Sequence, residues 1–186
     1  MTLKEMKKKV LGLIEEINPD SELLTDDPDI STKINDVTNQ VMFELIRMKK
    51  LPAYTEIEVK QGDLIDFDDI EKAGKYPVYQ LNAVCGIKYE LKAQGTIIKV
   101  LESGVAEIDY FKYPESITSK TKDSYEFELP QDALELMPYG IAGDLLKSDI
   151  SSEYGRVYSD RYEMMLSRLD PRYNMGTFTI DNSIEI

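Results

Sequence analysis

The chain has 186 residues, a hydrophobic fraction of 42% and a formal net charge of −13 at pH 7. This length fits one domain with a buried core, and the single cysteine excludes an internal disulfide framework. The lack of histidine excludes Ser-His-Asp catalysis and histidine-ligated zinc, and the acidic excess disfavours electrostatic binding to a nucleic-acid backbone.

Two amphipathic helices are predicted at the start of the chain. Thr2 and Glu5 have the spacing of a capping box, and apolar residues then recur every three or four positions as far as Asn18-Pro19. Asp27-Pro28 provides an N-cap followed by proline at the first helical position. This pair predicts a second helix, which ends before Pro52.

The middle of the chain has the pattern of strands. Thr55–Lys60 alternates apolar and polar residues, as a half-buried strand does. Further strand-like runs lie at Val78–Leu81, Val84–Leu91, Thr96–Leu101, Val105–Tyr113 and Tyr125–Leu129. Gly104 predicts a hairpin between the third and fourth of these runs, whereas Asp63–Lys75 has the composition of an acidic loop. Residues 53–129 therefore predict one small, mainly antiparallel sheet.

Residues 130–170 predict a second pair of helices. Asp132 is in position to act as the N-cap of the first, and Pro138 predicts a kink or a restart within it. Ser151 or Ser152 can cap the second helix.

Residues 171–186 form a C-terminal arm with the pattern of a strand. Thr177–Ile180 alternates polar and apolar residues, and Ile184 and Ile186 extend the alternation to the last residue. Such a segment can close the chain's own sheet or add a strand to a neighbouring subunit, and both alternatives stay open.

These elements predict an α+β fold, with a mostly helical bundle formed by the N- and C-terminal helices and a small antiparallel β-sheet module inserted. Residues 1–52 and 130–170 would form the one bundle, residues 53–129 the β module, and residues 171–186 the arm.

Acidic clusters are the main candidates for chemistry. They are Asp26, Asp27 and Asp29 in one loop, and Asp63, Asp66, Asp68 and Asp69 in another. Neither loop has the central glycine and distal glutamate of a calcium loop, which favours solvated acidic loops. Cys85 has no histidine to activate it and is predicted to be a small buried hydrophobe. We therefore predict no catalytic, cofactor or metal site and no enzymatic activity, while a hydrolase built on the acidic clusters stays open as an alternative.

Tyrosines and the apolar arm supply the candidate contacts between subunits. Tyr154, Tyr158 and Tyr162 lie at helical spacing on the last helix. With them, the candidate subunit contacts are Phe178, Ile180, Ile184 and Ile186. The alternative is that the tyrosines close the intramolecular bundle, with their hydroxyls at its rim.

The second half of the chain also resembles a known family. The residues that carry the likeness are Tyr110-Phe111-Lys112-Tyr113-Pro114 with Ile117-Thr118, Phe127-Glu128-Leu129-Pro130, Leu136-Met137-Pro138-Tyr139-Gly140-Ile141-Ala142 and the helix Tyr154–Leu169. A strand that ends in a Tyr-Pro step, a short loop and a helix with a Pro-Tyr-Gly step is similar to the head–tail connector (adaptor) proteins of tailed bacteriophages.

The resemblance implies a virion structural protein of the neck, made in the host cytoplasm, that assembles as a ring of about twelve copies. Its implied partners are the portal protein above and a tail or head-closure protein below, with DNA passing through without specific binding and no membrane involved. An acidic binding protein, or a DNA-mimic inhibitor of a nucleic-acid enzyme, is the alternative function that the net charge leaves open.

Overall fold

The computed structural model describes residues 1–18, 20, 24–147 and 153–169. Ser151, Ser152 and the C-terminal arm, for which a cap and a strand are predicted, lie outside the described residues. The chain divides into two compact units. One comprises the described parts of Met1–Leu51 and Tyr113–Pro171, and the other comprises Pro52–Lys112.

Five helices and six strands are formed by the described residues. The helices are α1 (Leu3–Leu13), α2 (Pro28–Leu45), α3 (Phe67–Gly74), α4 (Gln131–Leu146) and α5 (Glu153–Leu166). The strands are β1 (Leu51–Val59), β2 (Leu64–Ile65), β3 (Val78–Cys85), β4 (Tyr89–Lys92), β5 (Ile97–Val100) and β6 (Gly104–Lys112).

The two predicted N-terminal helix starts are confirmed. The backbone N–H of Glu5 donates to Thr2 Oγ1 at 3.2 Å, and the N–H of Thr2 donates to Glu5 Oε2 at 2.9 Å, which completes the capping box. Asp27 caps α2 by accepting from the N–H of Asp29 and of Ile30, with Pro28 as the first helical residue. Each cap satisfies N–H groups that the helix itself cannot pair.

Helix α4 is the centre of the first unit, where it packs against α1, α2 and α5. It is buried on nearly every side, as expected for a helix with apolar residues around its whole circumference. Glycines allow α5 to approach closely. A Cβ on Gly140 would lie 2.9 Å from the ring of Tyr162, and a Cβ on Gly143 would lie 3.0 Å from the backbone nitrogen of Ser159.

Two polar contacts hold the remaining segments of the first unit. The Asn39 side chain and the Ile117 backbone exchange a pair of hydrogen bonds, each 2.8 Å long, which ties the segment before α4 to α2. Lys49 Nζ lies 2.6 Å from Asp132 Oδ2 and is largely buried, so the pair joins the end of the α2 region to the start of α4.

The second unit contains two three-stranded sheets, with strand orders β1-β6-β3 and β2-β5-β4. Its core comprises Val59, Ile65, Ile70, Val78, Val84, Ile98, Val100, Ala106, Ile108 and Tyr110. Helix α3 contributes Ile70, which is fully buried, and it begins with a capping box between Asp66 and Asp69. The helix and both sheets therefore share one core.

The predicted fold arrangement is wrong. The chain is α+β, with five helices and two small antiparallel sheets among its described residues, but the helices do not form a bundle of N- and C-terminal pairs. Helix α3 lies among the strands, in the stretch Asp63–Lys75 that is predicted to be a loop. The strands form two three-stranded sheets with a helix of their own, and not a single inserted sheet. The Asp66–Asp69 capping box and the apolar anchor Ile70 explain the extra helix.

Two strand predictions are also wrong. Gly104 does not close a hairpin, because β5 pairs with β2 and β4 whereas β6 pairs with β3 and lies beside β1. The hairpin lies earlier, between β4 and β5, where Gly95 has a φ of +91° in the turn. Residues 125–129 form no strand, and Glu126 makes an isolated bridge to Thr2.

Three local predictions differ from the structure. Cys85 is exposed at the end of β3, which is an edge strand among the described residues. Asp132 is the second residue of α4 and not its N-cap, which is Pro130. Its carboxylate pairs with Lys49 instead. Pro138 does not restart the helix, since α4 continues through it and buries its ring.

Candidate interaction surfaces

An apolar face of α5 is exposed to solvent. Tyr154, Val157 and Met164 are 68%, 56% and 48% exposed. They lie three and seven residues apart, so they share one side of the helix. Arg161 belongs to the same side, with its guanidinium carbon 4.3 Å from the centroid of the Tyr139 ring. We call Tyr154, Val157, Arg161 and Met164 the outer face of α5.

The opposite side of α5 is engaged within the first unit. The Tyr158 hydroxyl donates to the backbone oxygen of Leu13 at 2.5 Å. The Tyr162 hydroxyl donates to Glu44 Oε2 at 2.9 Å, and the ring is buried against Gly140. Burial raises the pKa of the Tyr162 hydroxyl, and the hydrogen bond to Glu44 raises it further.

The structure separates the three tyrosines that share the predicted stripe. Tyr158 and Tyr162 use their hydroxyls inside the unit, and Tyr154 alone of the three is exposed. The spacing of four residues pointed to one stripe, but the exposed side is rotated toward Val157 and Met164. Val157 and Met164 are not tyrosines, so a prediction based on the spacing of tyrosines does not include them. The other candidate contacts, Phe178, Ile180, Ile184 and Ile186, lie outside the described residues.

A cavity of about 190 Å³ lies among α2, α4 and α5. Its charged lining residues are Glu44, Asp144, Glu163 and Lys147, and Lys147 forms an ion pair with Asp144. The Glu44 carboxylate accepts a hydrogen bond from the Tyr162 hydroxyl, and this contact fixes its position within the fold. In the part of the chain that is described, no group of three or more acidic or cysteine side chains is arranged to hold a metal ion.

The predicted acidic loops have structural roles at helix starts. Asp27 caps α2, and Asp66 with Asp69 caps α3. Asp63 accepts a hydrogen bond from the backbone N–H of Lys60 at 2.8 Å. Asp27, Asp63, Asp66 and Asp69 thus stabilise the local backbone by accepting hydrogen bonds from it.

One face of the β1-β6-β3 sheet is acidic. Glu56 on β1 and Glu107 and Asp109 on β6 are exposed and alternate with core residues. The Tyr54 hydroxyl donates to Glu56 Oε1 at 2.6 Å. This hydrogen bond raises the pKa of Tyr54 to about 12, with partial desolvation and the charges of Glu56, Glu107 and Asp109 acting in the same direction. The three carboxylates therefore give this face a negative charge.

A groove of about 320 Å³ lies between strands β3 and β4 in the second unit. Its lining consists of Phe67, Tyr79, Gln80, Leu81, Asn82, Ala83, Val84, Tyr89, Leu91, Gln94, Gly95 and Thr96. Tyr89 and Leu91 are exposed there. We call this feature the edge groove, because β3 and β4 are the edge strands of their two sheets among the described residues.

No protein-family model matches the chain, and no curated protein is significantly similar to it in sequence. None of the described helices is both long enough and apolar enough to cross a membrane. The arrangement of the described residues thus offers surfaces for contact, namely the outer face of α5, the acidic face of the β1-β6-β3 sheet and the edge groove.

Proposed function

We propose that this protein is a virion structural protein of a tailed bacteriophage, a head–tail connector subunit that assembles as a ring between portal and tail. The observation that carries the proposal is the outer face of α5. Tyr154, Val157 and Met164 are large apolar side chains that share one side of a helix and remain in solvent in the single chain.

Such a face is costly to leave in water and is typical of a contact surface. Tyr, Met and Arg are enriched at protein interfaces, and the outer face of α5 combines Tyr154, Met164 and Arg161. The other side of α5 is already packed on α4, so the exposed side is available to a neighbouring molecule. In a ring, each subunit would present this face to a different surface of the next subunit.

The acidic face of the β1-β6-β3 sheet supports the proposed passage of DNA. Glu56, Glu107 and Asp109 repel phosphate groups, so a surface of this kind lets a polyanion pass without adsorbing. This agrees with a chain that carries 35 acidic and 22 basic residues. The proposed partners are other copies in a ring of about twelve, the portal protein, and a tail or head-closure protein, with the virion neck as the location.

Native mass spectrometry across a concentration series tests self-assembly. We expect a closed oligomer for the wild-type chain and its loss in the variant Val157→Glu, because a carboxylate would be placed in the apolar contact. Val105→Glu is the matched control: Val105 is 44% exposed on β6 and lies off the outer face of α5. A monomer at every concentration, or an oligomer that survives Val157→Glu, contradicts the proposed role of this face.

An acidic inhibitor of a nucleic-acid enzyme is the second candidate function, and the acidic sheet face favours it specifically. Such a protein would bind a basic, DNA-binding partner through Glu56, Glu107 and Asp109, with an affinity that falls steeply as salt rises. Binding of a bacterial nuclease or polymerase that is lost in Glu107→Gln/Asp109→Asn, with no oligomer of the chain itself, would favour this function over the connector.

A further inference from the structure

A second cavity of the first unit lies between α1, α2 and the segment that precedes α4. Its volume is about 230 Å³. The lining consists of Lys7 on α1, Leu24 before α2, Ser31, Ile34 and Asn35 on α2, and Thr118, Ser119, Thr121 and Asp123 of the segment. We call it the Asn35 cavity. It shares no residue with the outer face of α5 or with the edge groove.

Asn35 presents an unpaired hydrogen-bond acceptor to this cavity. Its Oδ1 atom is buried and has no hydrogen-bond partner among the described residues. A buried acceptor that stays unpaired costs free energy, and most buried polar atoms of native proteins are paired. The Oδ1 atom therefore marks a position at which a donor from outside the chain would be stabilised.

Asn39 shows what an asparagine on this side of α2 binds. It lies four residues after Asn35, so the two side chains share one side of the helix. Asn39 Nδ2 donates to the carbonyl oxygen of Ile117, and the N–H of Ile117 donates to Asn39 Oδ1, each at 2.8 Å. The side-chain amide thus pairs with both polar groups of one main-chain residue.

The segment that supplies Ile117 turns away before it reaches Asn35. The backbone N–H of Thr121 donates to the carbonyl oxygen of Thr118 at 3.1 Å, which closes a four-residue turn. Beyond the turn, the carbonyl oxygen of Asp123 accepts from the N–H of Lys4 on α1, also at 3.1 Å. The chain therefore gives Asn39 a main-chain partner and leaves Asn35 facing the cavity.

We infer that the Asn35 cavity binds the main chain of an extended peptide segment of a partner protein. Asn35 Oδ1 would accept from the N–H of one residue of that segment, and Nδ2 would donate to the carbonyl oxygen of the same residue, as Asn39 does with Ile117. The site itself goes beyond the proposed function. Only the choice of a different protein rests on it, because the proposed contact between copies uses the outer face of α5.

The other lining residues suit a peptide main chain, which carries one donor and one acceptor per residue. Asp123 can accept from a second N–H, and Lys7 can donate to a second carbonyl oxygen. Their opposite charges favour a neutral ligand over an anion or a cation. Leu24 and Ile34 are buried in the wall and provide apolar contact for a small side chain.

Titration of the full-length chain with a blocked peptide tests the site. The probe is N-acetyl-trialanine amide, and binding is followed in the NMR spectrum of the chain labelled with ¹⁵N. We expect saturable shifts of the Asn35 side-chain amide and of the backbone amides of Ser31 and Thr121. The same peptide with every amide nitrogen methylated has no N–H to donate to Asn35 Oδ1, and we expect it not to bind.

A matched pair of substitutions tests the role of Asn35. Asn35→Leu removes the amide and keeps a side chain of similar size, whereas Gln40→Leu removes an exposed amide of α2 that lies outside the cavity. We expect Asn35→Leu to raise the Kd of the peptide by about tenfold or more, because both hydrogen bonds to the side chain are lost. Gln40→Leu should leave the Kd unchanged.

Thermal unfolding shows whether Asn35→Leu remains folded. We expect its midpoint to be no lower than that of the wild-type chain, because the acceptor that it removes is unpaired in the described chain. A lower midpoint without peptide binding by the wild-type chain would assign Asn35 to a bound structural water, which overturns the inference.

The remaining outcomes separate this inference from the proposed function. Equal binding of the methylated peptide, or an unchanged Kd in Asn35→Leu, overturns the inference and leaves the connector proposal standing. Loss of the oligomer of Asn35→Leu in native mass spectrometry would assign the segment to a second copy and overturn the choice of a different protein. A wild-type chain that is monomeric and binds the peptide through Asn35 supports the site and contradicts the proposed assembly.

Discussion

Tyr154 and Tyr162 lie two turns apart on α5 and meet opposite environments. Tyr162 is buried against Gly140 and donates to Glu44 Oε2 at 2.9 Å, whereas Tyr154 is exposed. The difference arises because α5 packs one side on α4 and leaves the other in solvent. The same residue type therefore stabilises the fold at one position and is free for an intermolecular contact at the other.

Removal of the two hydroxyls should separate these roles. Tyr162→Phe is expected to lower the free energy of unfolding by about 1–2 kcal/mol, because the buried ring stays and the hydrogen bond to the Glu44 carboxylate is lost. Tyr154→Phe should change it by less than about 0.5 kcal/mol. Urea denaturation of both variants measures the difference, and equal effects would contradict the contact between Tyr162 and Glu44.

The Lys49–Asp132 ion pair gives a second prediction at this scale. Asp132→Asn should destabilise the chain by about 1–3 kcal/mol, because the largely buried Lys49 ammonium loses its carboxylate partner at 2.6 Å. The control is Asp160→Asn, which breaks the exposed Arg156–Asp160 pair and should cost less than about 0.5 kcal/mol.

The stabilising effect of Asp132 should depend on pH with a definite sign. Burial acts to raise the pKa of its carboxyl, but the hydrogen bond and charge of Lys49 outweigh burial and lower it below the ordinary value of 3.8. The contribution is complete above that value and is lost as pH falls through the folded-state pKa. The difference in the free energy of unfolding between wild type and Asp132→Asn should therefore become smaller below about pH 4, as measured by denaturation. A difference that stays constant with pH would count against the ion pair.

At the scale of elements, glycine has opposite roles in α1 and α4. Gly143 lies where α5 crosses α4, and an added Cβ would lie 2.6 Å from Ser159 Oγ and 3.0 Å from its backbone nitrogen. Gly12 in α1 has open space, with nothing within 4 Å of an added Cβ. One glycine permits close helix packing, and the other only weakens its helix.

The same substitution should consequently change stability in opposite directions. Gly143→Ala is expected to cost about 1–3 kcal/mol, because α5 must move away from α4. Gly12→Ala is expected to stabilise the chain by up to about 1 kcal/mol, because alanine favours the helix and meets no neighbour. Thermal unfolding of the two variants is the measurement. If both were stabilising, the close crossing of α4 and α5 would be wrong.

Elements with local signals could be predicted from the sequence, and those that depend on distant partners could not. The Thr2–Glu5 capping box and the Asp27-Pro28 start are encoded within four residues, and both are confirmed. The Asp66–Asp69 capping box has the same kind of signal, but the acidic residues around it favoured the prediction of a loop over α3. The pairing of β5 and β6 with different sheets could not be predicted, because the sequence near Gly104 does not determine which strands each one joins.

The candidate surfaces were predictable only in part, for a similar reason. Tyr154, Tyr158 and Tyr162 could be placed on one helix from their spacing, but the side of the helix that α4 covers depends on Gly140 and Gly143. Cys85 is exposed at the end of β3, and the place of β3 at the edge of the described sheet depends on strand order, which the local sequence does not contain. The edge groove is formed by strands of two sheets, so no sequence motif predicts it.

At the scale of the whole molecule, both units bury tyrosine hydroxyls, and this makes alkaline pH destabilising. Burial raises the pKa of Tyr125 to about 12 and raises the pKa of Tyr162 in the first unit, and it also raises that of Tyr110 in the second. These groups keep their protons in the folded chain at a pH at which the unfolded chain has released them. The stabilisation is therefore complete below about pH 10 and is lost as pH rises through the folded-state pKa values.

The net charge should act in the same direction. The chain is already at −13 at pH 7, and each lysine or tyrosine that loses a proton increases the repulsion within the compact state. We expect the free energy of unfolding to fall by at least about 2 kcal/mol between pH 9 and pH 12, since one unit of pKa separation corresponds to about 1.4 kcal/mol. Tyr125→Phe should make the free energy of unfolding fall less steeply with pH, because it removes one hydroxyl with a raised pKa. The substitution Tyr154→Phe, at an exposed position, should leave this slope unchanged.

Added salt discriminates between the two causes of the alkaline loss of stability. It should weaken the repulsion between like charges and leave the proton linkage of Tyr125 in place. A slope that salt abolishes in full would assign the alkaline loss to net charge alone and contradict the contribution of the buried tyrosines.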